Sequence, residues 1–304
     1  MTAKTDYIGR FAPSPTGPLH FGSLVSAVGS YLQARSRGGK WLVRMEDLDL
    51  PRVVPGAAEH ILSTLETLGL HWDGEVLYQS NRFPAYAAAT QALKKSIYPC
   101  SCSRTDINRQ ATVNGPPTAV YPGTCRNGLP SGKSPRTLRV STQGQSLSFR
   151  DLIQGVCQQD LEREVGDFVI RRADGLFAYQ LAVVVDDAEQ GITEVVRGSD
   201  LLDSTPRQIY LQKLLGYHSP GYAHLPIVIN AQGQKLSKQT HASALDPNQP
   251  LPALWQALCF LGQQPPVELL EGDLSSFWHW AIAHWNIASV PRVNARPESC
   301  AIIE

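Results

Sequence analysis

The chain has 304 residues, with 27 lysines and arginines against 27 aspartates and glutamates, and is 42% hydrophobic. A zero formal net charge excludes a protein that coats nucleic acid through bulk positive charge, though not one with a local basic patch. Six cysteines are too few for a disulfide scaffold, the N-terminus MTAKTDYIGR has no apolar signal core, and no apolar run reaches the length of a membrane span; the expectation is a cytoplasmic, monomeric protein without membrane contact. In chain order, Tyr7 to Ala12 is a short apolar run ending at Pro13, as a buried strand reads. After a Pro/Gly turn, apolar residues recur at Phe21, Leu24, Val25, Val28 and Leu32, the spacing of a helix with one face on a sheet. KWLVRMED predicts a second strand, and AAEHILSTLETLG a second helix stopped by Gly69. Such alternation predicts an α/β fold with a doubly wound parallel sheet.

Regularity lapses between about residues 98 and 165, which hold a cysteine cluster, the turn-rich stretch NGPPTAVYPGTCRNGLPSGKSP, and the short strand candidates RTLRV and SLSFRDL. This reads as an insertion between two halves of the sheet. DFVIRR and FAYQLAVVVDD read as strands, the second, almost continuously apolar, as a central one. TPRQIYLQKLLG predicts a helix with Thr205 as cap and Gly216 as stop, followed by the strand LPIVIN. Beyond residue 240, LPALWQALCFLG and SFWHWAIAHW read as helices. The chain thus divides into a main domain, 1–240, interrupted by 98–165, and a short helical region, 241–304.

Three stretches carry chemistry. The turn FAPSPTGPLHFGS, residues 11–23, leaves backbone N–H groups at a helix N-terminus, where an anion such as phosphate is favoured. Gly17 and Gly22 permit close approach, and His20 and Ser23 offer donors; taken alone, a plain turn with a satisfied histidine is the alternative. KLSK, residues 235–238, follows a hairpin-like NAQGQ and places two lysines on a loop suited to a polyphosphate. EVVRGSDLL brings Arg197 to the C-terminal edge of the sheet, where doubly wound folds bind ligands, with a surface salt bridge as the alternative.

Taken in order, GRFAPSPTGPLHFGS, RMEDLD, FAYQLAVVVDD, EVVRGSD and KLSK resemble the glutamyl branch of the class I aminoacyl-tRNA synthetases over about residues 7–240. HFGS stands where that family has His-Ile-Gly-His, and KLSK where it has Lys-Met-Ser-Lys. The resemblance implies a Rossmann-like class I catalytic domain over 1–240 that joins an amino acid to ATP, with Mg²⁺. It implies ATP binding by His20, Gly22, Ser23, Lys235, Leu236, Ser237 and Lys238, with His20, Lys235 and Lys238 catalytic. It implies a glutamate pocket of Arg10, Ala12, Ser14, Glu46, Tyr179 and Arg197. The two arginines suit carboxylates, Glu46 suits an ammonium, and Ser14 and Tyr179 supply neutral hydrogen bonds. Glutaminyl relatives carry a glutamate in the slot of Ser14, so Ser14 favours glutamate. Two residues depart from the family: Ser23 replaces the last histidine of the first signature, and Ser199 replaces an acidic residue.

Cys100, Cys102 and Cys125 suggest one structural zinc site, which wants four ligands. Some glutamyl synthetases continue as Cys-x-His here, but the histidine position is Asn127. Tyr121 is the nearest substitute for a fourth ligand, with water or Asp106 as alternatives and three unliganded thiols as the plain reading. The chain beyond Lys238 leaves room for a small helical region held by Trp255, Phe260, Trp278 and Trp285, but not for an anticodon-binding domain. This short, zinc-bearing form resembles the glutamyl-Q tRNA(Asp) synthetases, which activate glutamate without tRNA and transfer it to queuosine at the wobble position of tRNA(Asp). The resemblance therefore implies L-glutamate, ATP and queuosine-bearing tRNA(Asp) as partners. A short synthetase charging a tRNA 3′ end, a non-catalytic paralogue that binds glutamate or adenylate, and a small-molecule nucleotidyltransferase are the alternatives.

Overall fold

The computed structural model of the chain describes residues 6–114, 120–230, 232–236, 245–246 and 248–298. Strand β1 (Ile8–Phe11) runs into the Pro/Gly turn, helix α1 (Phe21–Arg35) returns the chain, and β2 (Lys40–Met45) lies parallel to β1 with Ile8 opposite Lys40. Helix α2 (Ala57–Thr67) leads to β3 (Leu77–Tyr78), parallel to β2. There follow α3 (Phe83–Ala92), β4 (Ile97–Cys100), α4 (Arg104–Asn114), β5 (Thr137–Val140), β6 (Ser146–Asp151), β7 (Gly155–Asp160) and β8 (Phe168–Arg171). The second half continues with α5 (Tyr179–Glu189), β9 (Glu194–Gly198), α6 (Thr205–Leu215), β10 (Gly221–Leu225) and β11 (Ile227–Ile229), and then α7 (Pro250–Phe260), α8 (Leu274–His284) and β12 (Ala295–Pro297).

Strand β10 is parallel to β9 on one side and to β6 on the other, and β6 forms an antiparallel hairpin with β7. The halves meet where β1 lies beside β9: the Thr193 N–H donates to the Ile8 carbonyl at 2.9 Å, and the Ile8 N–H to the Thr193 hydroxyl at 3.0 Å. The strands therefore run β3-β2-β1-β9-β10, and chain order reverses between β1 and β9, the place where a doubly wound sheet opens a crevice for ligand. The 98–165 segment is not closed on itself. Its β5 pairs with β8, beyond residue 165, and its β6 pairs with β10.

The expected face of α1 is buried: Leu24, Val25, Val28 and Leu32 pack with Trp41, Val43 and Met45 of β2. The same core extends to Phe260 of α7 and to Phe277 and Trp278 of α8. The Trp278 indole donates to the Leu68 carbonyl at 2.9 Å, and that of Trp285 to Gln33 Oε1 at 2.7 Å, so the C-terminal helices clasp α1 and α2. Trp255 instead bonds the Pro266 carbonyl near its own helix. Among the described residues no helix is long and apolar enough to cross a membrane.

Two local expectations need correction. FAYQLAVVVDD is not a central strand; from Tyr179 onward it is helix α5. Leu181 to Asp187 are all buried, and a helix enclosed on every side carries no polar stripe, so its continuous apolar run imitates a buried strand. Thr205 does not cap α6. It is the first helical residue, and its hydroxyl accepts from Arg197 at 2.8 Å.

Candidate active site

A cleft of about 1050 Å³ opens where β1 and β9 end, between the N-terminus of α1 and the start of the lysine loop. It takes in the six residues of the expected amino-acid pocket: Arg10, Ala12, Ser14, Glu46, Tyr179 and Arg197. Of the expected nucleotide set it takes in His20, Gly22, Ser23, Lys235 and Leu236, while Ser237 and Lys238 lie outside the described residues.

The two arginines differ in their surroundings. Arg10, on β1, donates through Nε to Asp187 Oδ1 at 3.1 Å, and Arg44 of β2 holds the same carboxylate at 2.8 Å. Burial alone would raise the Asp187 carboxyl, but Arg10 and Arg44 pull it below its ordinary pKa. Glu46 is 3.4 Å from Arg44, a long contact, and burial raises its carboxyl against the pull of both arginines. Arg197, on β9 and 5% exposed, has no acid among its hydrogen-bond partners within the described residues. Its Nε donates to His224 Nε2 at 3.1 Å, Nη1 to the Tyr179 hydroxyl at 3.2 Å, and Nη2 to Thr205 and Gln208, both at 2.8 Å. Four of its five N–H donors are thus committed within the protein, fewer remaining than a two-pronged clamp needs.

The turn builds its own helix cap. His20 is the N-cap of α1: its Nδ1 accepts from the Ser23 N–H at 3.3 Å, and the Ser23 hydroxyl accepts from the His20 N–H at 2.8 Å. This reciprocal pair is a capping box with histidine in the usual serine place. Because Nδ1 accepts, the proton of the neutral ring sits on Nε2. The Ser23 hydroxyl is turned back on the turn, which gives the departure at this position a structural use. A Cβ on Gly22 would lie 3.1 Å from His20 Cε1 and 3.6 Å from the Leu236 carbonyl, so glycine keeps the imidazole and the lysine loop close to the helix mouth.

That loop leaves β11 through a turn at Asn230–Gln234, and Lys235 bridges back to Ile229. Lys235 Nζ meets Asp200 Oδ2 at 2.5 Å. Asp200, one residue beyond Ser199, thus holds the lysine, while the Ser199 hydroxyl donates to the Asn294 carbonyl. Strand β12 pairs in parallel with β11, Ile227 opposite Ala295.

The cysteine cluster forms a separate small core with Ile107 and Tyr121. The thiols of Cys100, Cys102 and Cys125 lie within 4.8 Å of one another. A tetrahedral zinc with sulfur and phenolate ligands sets S···S edges of about 3.8 Å and S···O edges of about 3.5 Å. Cys102 and Cys125 are 3.7 Å apart, and the Tyr121 oxygen is 3.3 Å from Cys100 and 3.9 Å from Cys102, so the donor set fits. Burial raises the Cys125 thiol, but hydrogen bonds from the Ser101 backbone and the Tyr121 hydroxyl bring it down to about 7. Arg139 donates to Cys100 Sγ at 3.3 Å and stacks 4.0 Å above the Tyr121 ring. The carboxylate of Asp106 accepts from the Ser103 amide and hydroxyl at 2.8 and 2.7 Å, which ties it to the start of α4.

Sequence reasoning passed over Asp187, Gln208, His224 and Asp151, and read Thr205 only as a helix cap. Asp187 was hidden in the run read as a strand. A helical reading would have set it two turns beyond Tyr179 and drawn attention to a buried acid.

Comparison with known proteins follows the same lines. The family of class I tRNA synthetases (E and Q), catalytic domain, matches residues 8–264. A protein of Dechloromonas aromatica called glutamyl-Q tRNA(Asp) synthetase is 58% identical over 294 residues, 95% of this chain and 97% of that protein. One of Geobacter sulfurreducens with the same name is 54% identical over 303 residues, covering 97% and 96%. Among solved structures, a glutamate tRNA ligase from Elizabethkingia meningosepticum in complex with its amino acid has a TM-score of 0.81 at 26% identity, across 97% of this chain and 67% of its own.

Proposed function

This chain belongs to the class I tRNA synthetases of the E and Q branch, among the glutamyl-Q tRNA(Asp) synthetases, and on that footing we propose that it activates L-glutamate with ATP, without tRNA, and passes the glutamyl group to queuosine in tRNA(Asp). The observation that carries the pocket is Arg197. A buried guanidinium whose partners are all neutral is costly unless an anion completes it. Arg10 and Arg197 would take the two carboxylates of the substrate and Glu46 its ammonium, with Ala12, Ser14 and Tyr179 closing the pocket.

On the nucleotide side, the N-terminus of α1 with His20, Gly22 and Ser23 would cradle the phosphates of Mg·ATP. Lys235, Leu236, Ser237 and Lys238 would close over them, the lysines meeting the charge that builds on the leaving pyrophosphate. A carboxylate oxygen of glutamate attacks the α-phosphorus, and the bond to pyrophosphate breaks. A hydroxyl of the queuosine cyclopentenediol then attacks the acyl carbon, its proton is lost, and AMP leaves. For these steps the residues contribute orientation and charge rather than a dedicated acid or base. The order of the stretches supports residues 1–240 as the catalytic domain, with 98–165 inserted and 241–304 bracing it. Cys100, Cys102, Tyr121 and Cys125 would hold one Zn²⁺, which supplies a structural cross-link within the insertion. The acceptor is supported by relatives of that name matched over nearly their whole length.

Glutamate-dependent exchange of pyrophosphate into ATP in the absence of tRNA tests activation, and its absence at saturating glutamate and Mg·ATP would sink the reading. Radiolabelled glutamate transferred to total tRNA and mapped after nuclease digestion tests the acceptor. Label is expected in the anticodon fragment of tRNA(Asp); label on the 3′-terminal nucleotide means ordinary charging.

A further inference from the structure

Behind Arg197 lies a buried chain of side chains that the chemistry above does not touch. Asp151 ends β6, His224 sits on β10, and they are 1% and 0% exposed. His224 Nδ1 and Asp151 Oδ2 are 2.6 Å apart, and Arg197 Nε donates to His224 Nε2 at 3.1 Å. That donor fixes the tautomer. Nε2 must keep its lone pair, so the ring proton sits on Nδ1 and goes to Asp151. Burial and the Arg197 charge hold the His224 pKa down against the pull of Asp151, which favours the neutral ring. The other carboxylate oxygen, Asp151 Oδ1, accepts backbone N–H groups of Ile153, Gln154 and His224 at 2.9, 2.8 and 3.2 Å.

We infer that His224 and Asp151 are positioning residues for the amino-acid step: they lock the Nε edge of Arg197, so that its Nη1 side, beside Tyr179, meets the substrate carboxylate in a fixed plane. This rests on the reading that Arg197 binds glutamate. Thr205 and Gln208 hold the Nη2 edge, so the guanidinium is gripped on two sides and presented on the third. The same chain ties β6, which belongs to the 98–165 segment, to the pocket through one imidazole.

Asp151→Asn is a near-isosteric test. Three N–H groups require oxygen at the Oδ1 position, so the new amide nitrogen faces His224 Nδ1. The ring proton is then forced to Nε2, against the Arg197 Nε–H. The expected result is a rise of about 10- to 100-fold in the glutamate KM of pyrophosphate exchange, the range for losing a hydrogen bond to a charged group, with the ATP KM unchanged. Nitrogen-15 NMR of histidine-labelled protein should show the His224 proton on Nδ1 in the native protein and on Nε2 in the variant. His224→Gln, which can accept from Arg197 and donate to Asp151, should keep a near-native glutamate KM, whereas His224→Phe should not. If Arg197→Lys leaves the glutamate KM unchanged, the pocket reading falls and this inference with it. If Arg197→Lys raises that KM while Asp151→Asn does not, only the positioning role is overturned. Should Asp151→Asn fail to fold, the native tautomer and His224→Gln decide: a proton on Nε2, or a glutamate KM as high in His224→Gln as in His224→Phe, overturns the inference.

Discussion

Asp187 shows how much a single carboxylate can hold. It is shared by Arg10 and Arg44, both almost wholly buried, so replacing it with asparagine removes the charge that both guanidinium groups share. Unfolding free energy at pH 7 should fall by about 3–5 kcal/mol, the range for breaking a buried pair, as a lower urea midpoint would register. The pH dependence has a definite sign. The carboxyls of Asp151, Asp167 and Asp187 lie below their ordinary pKa, each against the raising effect of burial, through His224, Arg126 and the Arg10–Arg44 pair respectively. Their stabilisation is fully present above the unfolded value of about 3.9 and is lost as pH falls through the lower folded values. Glu46, raised by burial, acts in the opposite sense, since protonation relieves its desolvation. Urea midpoints taken from pH 6 down to 3 should therefore fall, and fall less steeply in Asp187→Asn. Arg10, Arg197 and His20 were singled out by the resemblance of their stretches to the glutamyl branch and the cysteines by their spacing, and the structure brings the first three to one cleft and the thiols to one cluster. His224 and Asp151 were not legible, because a histidine in YAHLP and an aspartate in SFRDL acquire meaning only when β10 and β6 are set side by side.

Among the elements, α1 and α5 mark the two ends of what pattern can tell. In α1 the apolar spacing, the Gly-rich entry and the buried face all agree. In α5 the valines favour a strand by local propensity, and enclosure by α3, α6 and β8 overrides it. Ala27 and Gly29 in the sequence read as keeping the α1 backbone close to a neighbour, but that the neighbour of Gly29 is Leu225 of β10 was not readable. A Cβ on Gly29 would lie 2.6 Å from Leu225 Cδ1, and Leu225 is fully buried. Gly29→Ala should therefore destabilise the protein by about 1–3 kcal/mol through overpacking, even though alanine is the better helix former by about 1 kcal/mol. A drop in melting temperature, not a gain, is the expected reading in thermal denaturation.

At the level of the whole molecule, the cysteine cluster stands apart from the main hydrophobic cores, and its cohesion would come chiefly from metal. Cys102→Ser should bind less than one zinc per chain by atomic absorption. It should also expose the 98–114 segment to limited proteolysis while leaving the unfolding midpoint of the α/β core nearly unchanged. Activation of glutamate should then suffer less than transfer to tRNA, a split that measuring both steps on one preparation would show. The overall architecture was legible because alternating strands and helices admit few topologies; the joining of β6 to β10, a pairing distant in sequence, was not.

The pairing of β12 with β11 bears on synthesis. The strand that launches the Lys235 loop finds its neighbour only at Ala295–Pro297, and Ser199 finds its acceptor only at Asn294. A ribosome making this chain releases both arginines, His20 and Lys235 well before the wall behind them can close. The nascent polypeptide therefore carries the residues of the nucleotide site long before it carries that wall, and the pairing that backs the lysine loop waits on residues translated well after it.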